Sequence, residues 1–261
     1  MDMQLAGRAY YVTGVSRGIG QAIALALLDE GALVAGCARD ARALEVLRDG
    51  LPENWKDRLI TTVADVGDAP GLTQAVVAAA SEFSRLDGVV ANAGIGVTGG
   101  VLSTSAADWD EQLHTKVHSV LNLVTAALPM LRSSDAARIV VINGVIAHYP
   151  EPPMAASSAG RAAVASLTRL LAVELAPDIL VNSVNLGAIA TDRQRDMFRD
   201  SGSSGTFDQW AQSEAIRRGI LLGRLGDADE VAPMIAMMLS PLSSYLTGTS
   251  IDISGGSATN T

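Results

Sequence analysis

Short apolar runs alternate with helix-like segments along nearly the whole chain, and this alternation limits the possible folds more than any single motif does. Runs at about Ala9 to Thr13, Ala32 to Ala38, Leu59 to Val63, Leu86 to Ala91, Arg138 to Ile142, Ile179 to Asn185 and Thr249 to Ile253 read as strands. Between them, Ile19 to Glu30, Ala41 to Asp49, Pro70 to Phe83, Asp108 to Leu131 and Ala155 to Ala176 read as helices, with stops at Gly31, Gly50, Pro52 and Pro177. The second, fifth and sixth strands are almost continuously apolar, as strands covered on both faces must be. Right-handed crossovers then predict an α/β fold: one Rossmann-type, doubly wound parallel sheet with helices on both faces. There is no internal repeat and no linker, so residues 1–261 read as one domain. The weakest patterning lies in Asp192 to Gln209, around Ser201-Gly202-Ser203-Ser204-Gly205. It reads as a loop after the sixth strand, either a mobile lid or a disordered stretch.

The first strand ends in Gly14-x-x-x-Gly18-x-Gly20, and a helical pattern follows at once. Glycines let a backbone turn tightly and approach a ligand, because no Cβ intrudes. A helix start offers unpaired N–H groups and partial positive charge to a phosphate. The spacing differs from Gly-x-Gly-x-x-Gly, so the stretch taken alone is either a phosphate site or a ligand-free glycine turn.

The net charge of −9 excludes a basic nucleic-acid footprint. No apolar run reaches the ~18 residues of a membrane span, and the start of the chain has no basic-then-apolar secretory pattern. Cys37 is the single cysteine, so no internal disulfide forms. These features predict a cytoplasmic protein without nucleic-acid or membrane partners. Cys37 itself reads as a small buried hydrophobe. His114 and His118 stand four apart on a helix, a spacing that can bind metal, but no third ligand is evident and no metal is expected.

Thr13-Gly14-x-x-x-Gly18-Ile19-Gly20, Asp65-Val66, Asn92-Ala93-Gly94, Gly187-x-x-x-Thr191 and Thr247-Gly248…Gly255-Gly256 occur in this order and on the right elements. Together they resemble the short-chain dehydrogenase/reductase family across nearly the whole chain. The resemblance implies seven strands in the order 3-2-1-4-5-6-7, a nicotinamide cofactor, a small-molecule substrate, a substrate loop at about 191–216, and a homodimer or homotetramer. It implies that Gly14, Ser16, Arg17, Gly18, Ile19 and Gly20 hold the pyrophosphate and adenosine ribose. Asp65 and Val66 would border the adenine. Asn92, Ala93 and Gly94 would line the cofactor, and Thr191 would reach the carboxamide. Leu186-Gly187 stands where the family has Pro-Gly. At the end of the second strand, NAD users place an acid on the ribose hydroxyls. Here Arg39 stands in that region, with Arg17 opposite, so NADP(H) is expected over NAD(H) through guanidinium–phosphate contacts. Asp40 either pairs with Arg39 or caps the next helix.

The family's Asn, Ser, Tyr and Lys are all replaced. Lys116 stands at the Asn position, Gly144 at the Ser position, Ser157 at the Tyr position and Arg161 at the Lys position. A serine hydroxyl is a far weaker acid than a phenol of pKa ≈ 10, and Arg161 stays protonated. Arg161 keeps a charge that can hold a ribose or an anion. Lys116 is either a buried substitute cation or a solvated helix residue. Tyr149 and His148, followed by the stiff Pro150-Glu151-Pro152-Pro153, are either replacement acids in the substrate wall or exposed loop residues. The halohydrin dehalogenases, which carry Arg at the Lys position, need the missing Ser and Tyr and lack the glycine turn that this chain keeps. Two expectations follow. One is an NADPH-dependent reductase of an activated acceptor such as an enone, imine or quinone-like group. The other is a catalytically silent NADP-binding sensor, scaffold or oligomer partner.

Overall fold

Successive strand residues point to opposite faces of a sheet, and in this protein both faces are apolar. Tyr10, Val12, Val34, Val90, Val140 and Val184 pack into one core; Tyr11, Ala35, Cys37, Val89, Ile139, Val141 and Val181 pack into the other. The computed structural model describes residues 2–257. In chain order the elements are β1 (Ala9–Thr13), α1 (Gly18–Asp29), β2 (Leu33–Ala38), α2 (Ala41–Asp49), α3 (Glu53–Lys56), β3 (Leu59–Val63), α4 (Ala69–Phe83) and β4 (Gly88–Ala91). They continue as α5 (Ala106–Leu131), β5 (Ala137–Gly144), α6 (Ala155–Leu175), β6 (Ile179–Leu186), α7 (Asp192–Asp200), α8 (Phe207–Arg217), α9 (Ala228–Leu239) and β7 (Ser250–Ile253).

All strand pairs are parallel, in the order β3-β2-β1-β4-β5-β6-β7. This is the expected Rossmann-type sheet. The Ile23, Leu27 and Leu28 face of α1 and the Val231, Ile235 and Leu239 face of α9 close the first core. Leu72 and Val76 of α4, Leu123 and Leu131 of α5, and Val164 and Leu171 of α6 close the second. Among the described residues no helix is long and apolar enough to cross a membrane.

The stretch after β6 differs from the loop expected there. It folds into α7 and α8, and only residues 201–206 join them. Thr206 starts α8 with a capping box: the Gln209 N–H donates to Thr206 Oγ1 at 3.3 Å, and the Thr206 N–H donates to Gln209 Oε1 at 3.0 Å. Phe198, Phe207 and Trp210 pack their rings together, and the Arg195 guanidinium lies 4.5 Å above the Phe207 ring. These local contacts supply what the Ser/Gly-rich stretch lacks. The helix α9 was not anticipated either. Asp227-x-x-Glu230 starts it, with the Asp227 N–H donating to Glu230 Oε2 at 2.8 Å.

Candidate active site

The strand order reverses direction between β1 and β4, where a doubly wound sheet opens a crevice at its C-terminal edge. A cleft of about 1690 Å³ occupies that edge. The expected binding positions Gly14, Ser16, Arg17, Gly18, Ile19, Gly20, Arg39, Asp65, Val66, Asn92, Ala93, Gly94, Arg161 and Thr191 all line it.

Gly14 and Gly18 adopt φ of +69° and +56°, which side chains rarely tolerate. Gly20 is more constrained still: a Cβ there would stand 2.1 Å from the Gly14 carbonyl oxygen. Thr13 and Asn92 brace this turn against β4. Thr13 Oγ1 accepts from the Asn92 and Ala93 N–H groups at 3.0 and 3.1 Å and donates to the Val90 oxygen at 3.2 Å. Asn92 Nδ2 donates to the Thr13 oxygen at 2.9 Å. No side chain caps the first turn of α1, so its N–H groups stay available to a phosphate. Thr191 closes over the turn: its Cγ2 lies 3.4 Å from where a Gly18 Cβ would stand.

The two readings of Asp40 resolve as a cap. Asp40 Oδ1 accepts from the Ala43 N–H at 3.2 Å at the start of α2. Arg39 is left to a loose 3.9 Å contact with Asp65, both side chains exposed. Asp65 Oδ1 also accepts from the Gly67 N–H at 2.8 Å, and the Val66 oxygen accepts from Asn122 Nδ2 at 2.9 Å. The donor set fits a phosphorylated dinucleotide: a turn no Cβ can enter, an uncapped helix start and two exposed guanidinium groups.

The other half of the cleft holds Arg161 and Arg193, with Lys116 behind it. Ser157 is fully buried. Its Oγ accepts from the Val97 N–H at 3.1 Å and lies 3.0 Å from Gln112 Oε1 and 3.3 Å from the Val97 oxygen. The hydroxyl proton thus has internal acceptors. Arg161 lies against Asn143: its Nη1 donates to Asn143 Oδ1 at 3.4 Å, and Asn143 Nδ2 donates to the Arg161 main-chain oxygen at 3.1 Å. The Arg161 side chain fills the space beside Gly144, with Cδ, Nε and Cζ at 3.1–3.3 Å from where a Gly144 Cβ would stand. Lys116 is buried, and its Nζ donates to the Ile95 oxygen at 2.8 Å. Gly160 makes room for it, since a Cβ there would lie 3.0 Å from Lys116 Cδ. Lys116, Arg161 and Asn143 border a cavity of about 30 Å³, enough for a water.

Burial, and then the charges of Arg161 and Arg193, push the Lys116 ammonium down to about 7. Burial, and then Arg193, lower the Arg161 guanidinium to about 10. Tyr149 and His148 line the cleft but are exposed at its rim. His114 and His118 stack on each other, ring centroids 4.2 Å apart, on an exposed part of α5. Sequence reasoning missed Arg193. Its only sequence signal is a cation two residues after Thr191, and its reach across the cleft depends on the start of α7.

The position of Lys116 has a consequence for stability. Its folded-state pKa lies below the unfolded value, so the unfolded chain binds more protons between about pH 7 and 10.5. The burial cost is complete below pH 7 and is relieved as the pH rises through that window. Lys116→Met is therefore expected to stabilise the fold at pH 6, by about 1–4 kcal/mol. The gain should shrink towards pH 9. Urea melts of both proteins at the two pH values check this.

Comparison with known proteins matches the geometry. Residues 14–258 match the family described as enoyl-(acyl carrier protein) reductase. The 3-oxoacyl-[acyl-carrier-protein] reductase of Vibrio cholerae is 30% identical over 97% of this chain and 98% of its own. An NADPH-bound short-chain oxidoreductase from Pseudomonas aeruginosa, described as containing an atypical catalytic center, is 38% identical. It superposes with a TM-score of 0.90 over 96% of this chain and 97% of its own. L-Sorbose reductase from Gluconobacter frateurii, complexed with NADPH and L-sorbose, is 25% identical with a TM-score of 0.94 over the full length of both chains. The ordered motifs, the sheet and these relatives agree: the chain belongs to the short-chain dehydrogenase/reductase family of oxidoreductases.

Proposed function

We propose that the protein is an NADP(H)-dependent reductase of an activated acceptor, an enone, imine or quinone-like group, and that it meets the developing negative charge with cations instead of a tyrosine proton. The observation that carries this reading is the Arg161–Lys116 pair around the small cavity, beside a Ser157 whose hydroxyl is already engaged. Bound NADPH would supply the hydride. Gly14 to Gly20 and Thr191 hold the dinucleotide; Arg17 and Arg39 select its 2′-phosphate. Arg161 holds the nicotinamide ribose and sets a positive field on the acceptor. Such a preorganised charge in a water-poor site stabilises an anion without reorganisation. Lys116, held near neutrality, can release a proton from the floor of the site. Alternatively, Tyr149 or His148, exposed at the rim, would supply the proton itself and recover one from solvent.

The test is NADPH oxidation with a panel of ketones, enones, imines and quinones. Turnover is expected with the activated acceptors, and Lys116→Met, Tyr149→Phe and His148→Ala identify which group delivers the proton. Binding of NADPH without oxidation by any acceptor would favour the silent NADP-binding protein, a reading supported by the engaged Ser157 and by the missing side chain at Gly144. For cofactor choice, Arg39→Asp is expected to weaken NADPH about tenfold or more while leaving NADH little changed. Fluorescence titration of both cofactors checks it, and equal affinities in the wild type would refute the preference.

A further inference from the structure

Arg193 begins on the cofactor side of the cleft and ends on the other. Two residues earlier Thr191 covers the glycine turn, but the Arg193 side chain crosses to the loop after β4, where its Nη1 donates to the Gly96 oxygen at 3.0 Å. Arg193 Nη2 and Ser157 Oγ each lie 3.1 Å from the point where a Gly96 Cβ would stand. A guanidinium therefore sits beside Ser157, on the substrate side. Among the described residues no carboxylate forms an ion pair with Arg193, Arg161 or Lys116. Of the acids that line the cleft, Glu151 lies 3.4 Å from Arg218 and Asp196 pairs with Arg199, while Glu111 and Asp192 form no ion pair with Arg193. Burial and Arg218 hold the Arg193 pKa below its ordinary value, with Asp196 acting in the opposite direction, and Arg193 in turn depresses Arg161 and Lys116. Three clustered cations repel one another and lose hydration, a cost that a bound anion offsets.

We infer that Arg193 is the receptor for a carboxylate on the substrate, so that the acceptor reduced here is an organic acid bound with its carboxylate against the Arg193 guanidinium. The inference rests on the reductase reading of the cleft and adds the substrate class to it. Arg193 also makes substrate capture a property of α7: the element that covers the cleft carries the group that holds the ligand.

Benzoate and its neutral isostere benzamide separate the possibilities by calorimetric titration, with and without saturating NADP⁺. Benzoate is expected to bind, and benzamide about tenfold to a hundredfold more weakly. Arg193→Met should abolish the discrimination, Arg193→Lys should keep part of it, and Arg48→Met, on the exposed face of α2, should leave it unchanged. Equal binding of the two probes, binding of neither, or benzoate affinity unchanged in Arg193→Met would overturn the inference. A large loss of NADP⁺ affinity in Arg193→Met would overturn it too, by assigning the guanidinium to the cofactor. These readouts need no turnover, so an inactive enzyme that discriminates benzoate would contradict the reductase reading and leave the anion receptor standing.

Discussion

Gly20→Ala is expected to weaken NADPH binding by about tenfold to a hundredfold. The added Cβ would stand 2.1 Å from the Gly14 oxygen and 2.6 Å from Asn92 Nδ2, well inside any van der Waals contact. The turn must open, and the bond from Asn92 Nδ2 to the Thr13 oxygen that ties it to β4 goes with it. Overpacking of this kind typically costs about 1–3 kcal/mol. Here it falls on the N–H groups that would face the phosphates, so most of it appears as lost affinity. The sheet lies outside the disturbance, and a cooperative thermal melt should persist. NADPH fluorescence titration is the readout, and wild-type affinity in a folded Gly20→Ala protein would remove the glycine turn from the binding account.

The second large effect is a gain. Restoring Gly144→Ser, Ser157→Tyr and Arg161→Lys is expected to raise reduction of a simple ketone by about 10²–10⁴, the usual contribution of a matched acid. The geometry sets a condition on this. A Ser at 144 presses on Arg161, whose guanidinium carbon lies 3.3 Å from the new Cβ, so Gly144→Ser works only together with Arg161→Lys. A tyrosine ring at 157 competes with Arg193 for the space beside Gly96. The full gain is therefore expected when Arg193→Met is added, and the three-residue variant should fall short of it. Initial rates of NADPH oxidation with cyclohexanone compare the two. A full gain without the Arg193 change would show that Arg193 does not occupy the tyrosine's place.

Much of the frame was legible because it rests on local pattern. The buried strands β1, β2, β5 and β6 appear as apolar runs, and the glycine turn announces the first crossover. What stayed illegible depends on partners distant in the chain. Ser157 looks like a lost acid in sequence, but its hydroxyl is fixed by Gln112, 45 positions earlier. The depth of Lys116 depends on a glycine at 160 in the neighbouring helix. Arg193 reads as one charge among many on a polar segment, and its bond to Gly96 spans 97 positions. The helices α7 and α8 escaped notice for a related reason: α7 is mostly charged, and the Phe198, Phe207 and Trp210 rings meet only after both helices form. Asp40 was ambiguous until the Ala43 N–H showed it to be a cap.

The central claim is that the cofactor half of the cleft works while cations replace the phenol. The most direct measurement is single-turnover oxidation of NADPH by a matched pair, a cyclic enone and its saturated ketone, at saturating acceptor. The account predicts that the enone reacts at least about a hundredfold faster, because its product anion needs charge more than an immediate proton. Equal rates for the two would contradict it and place an effective acid in the site.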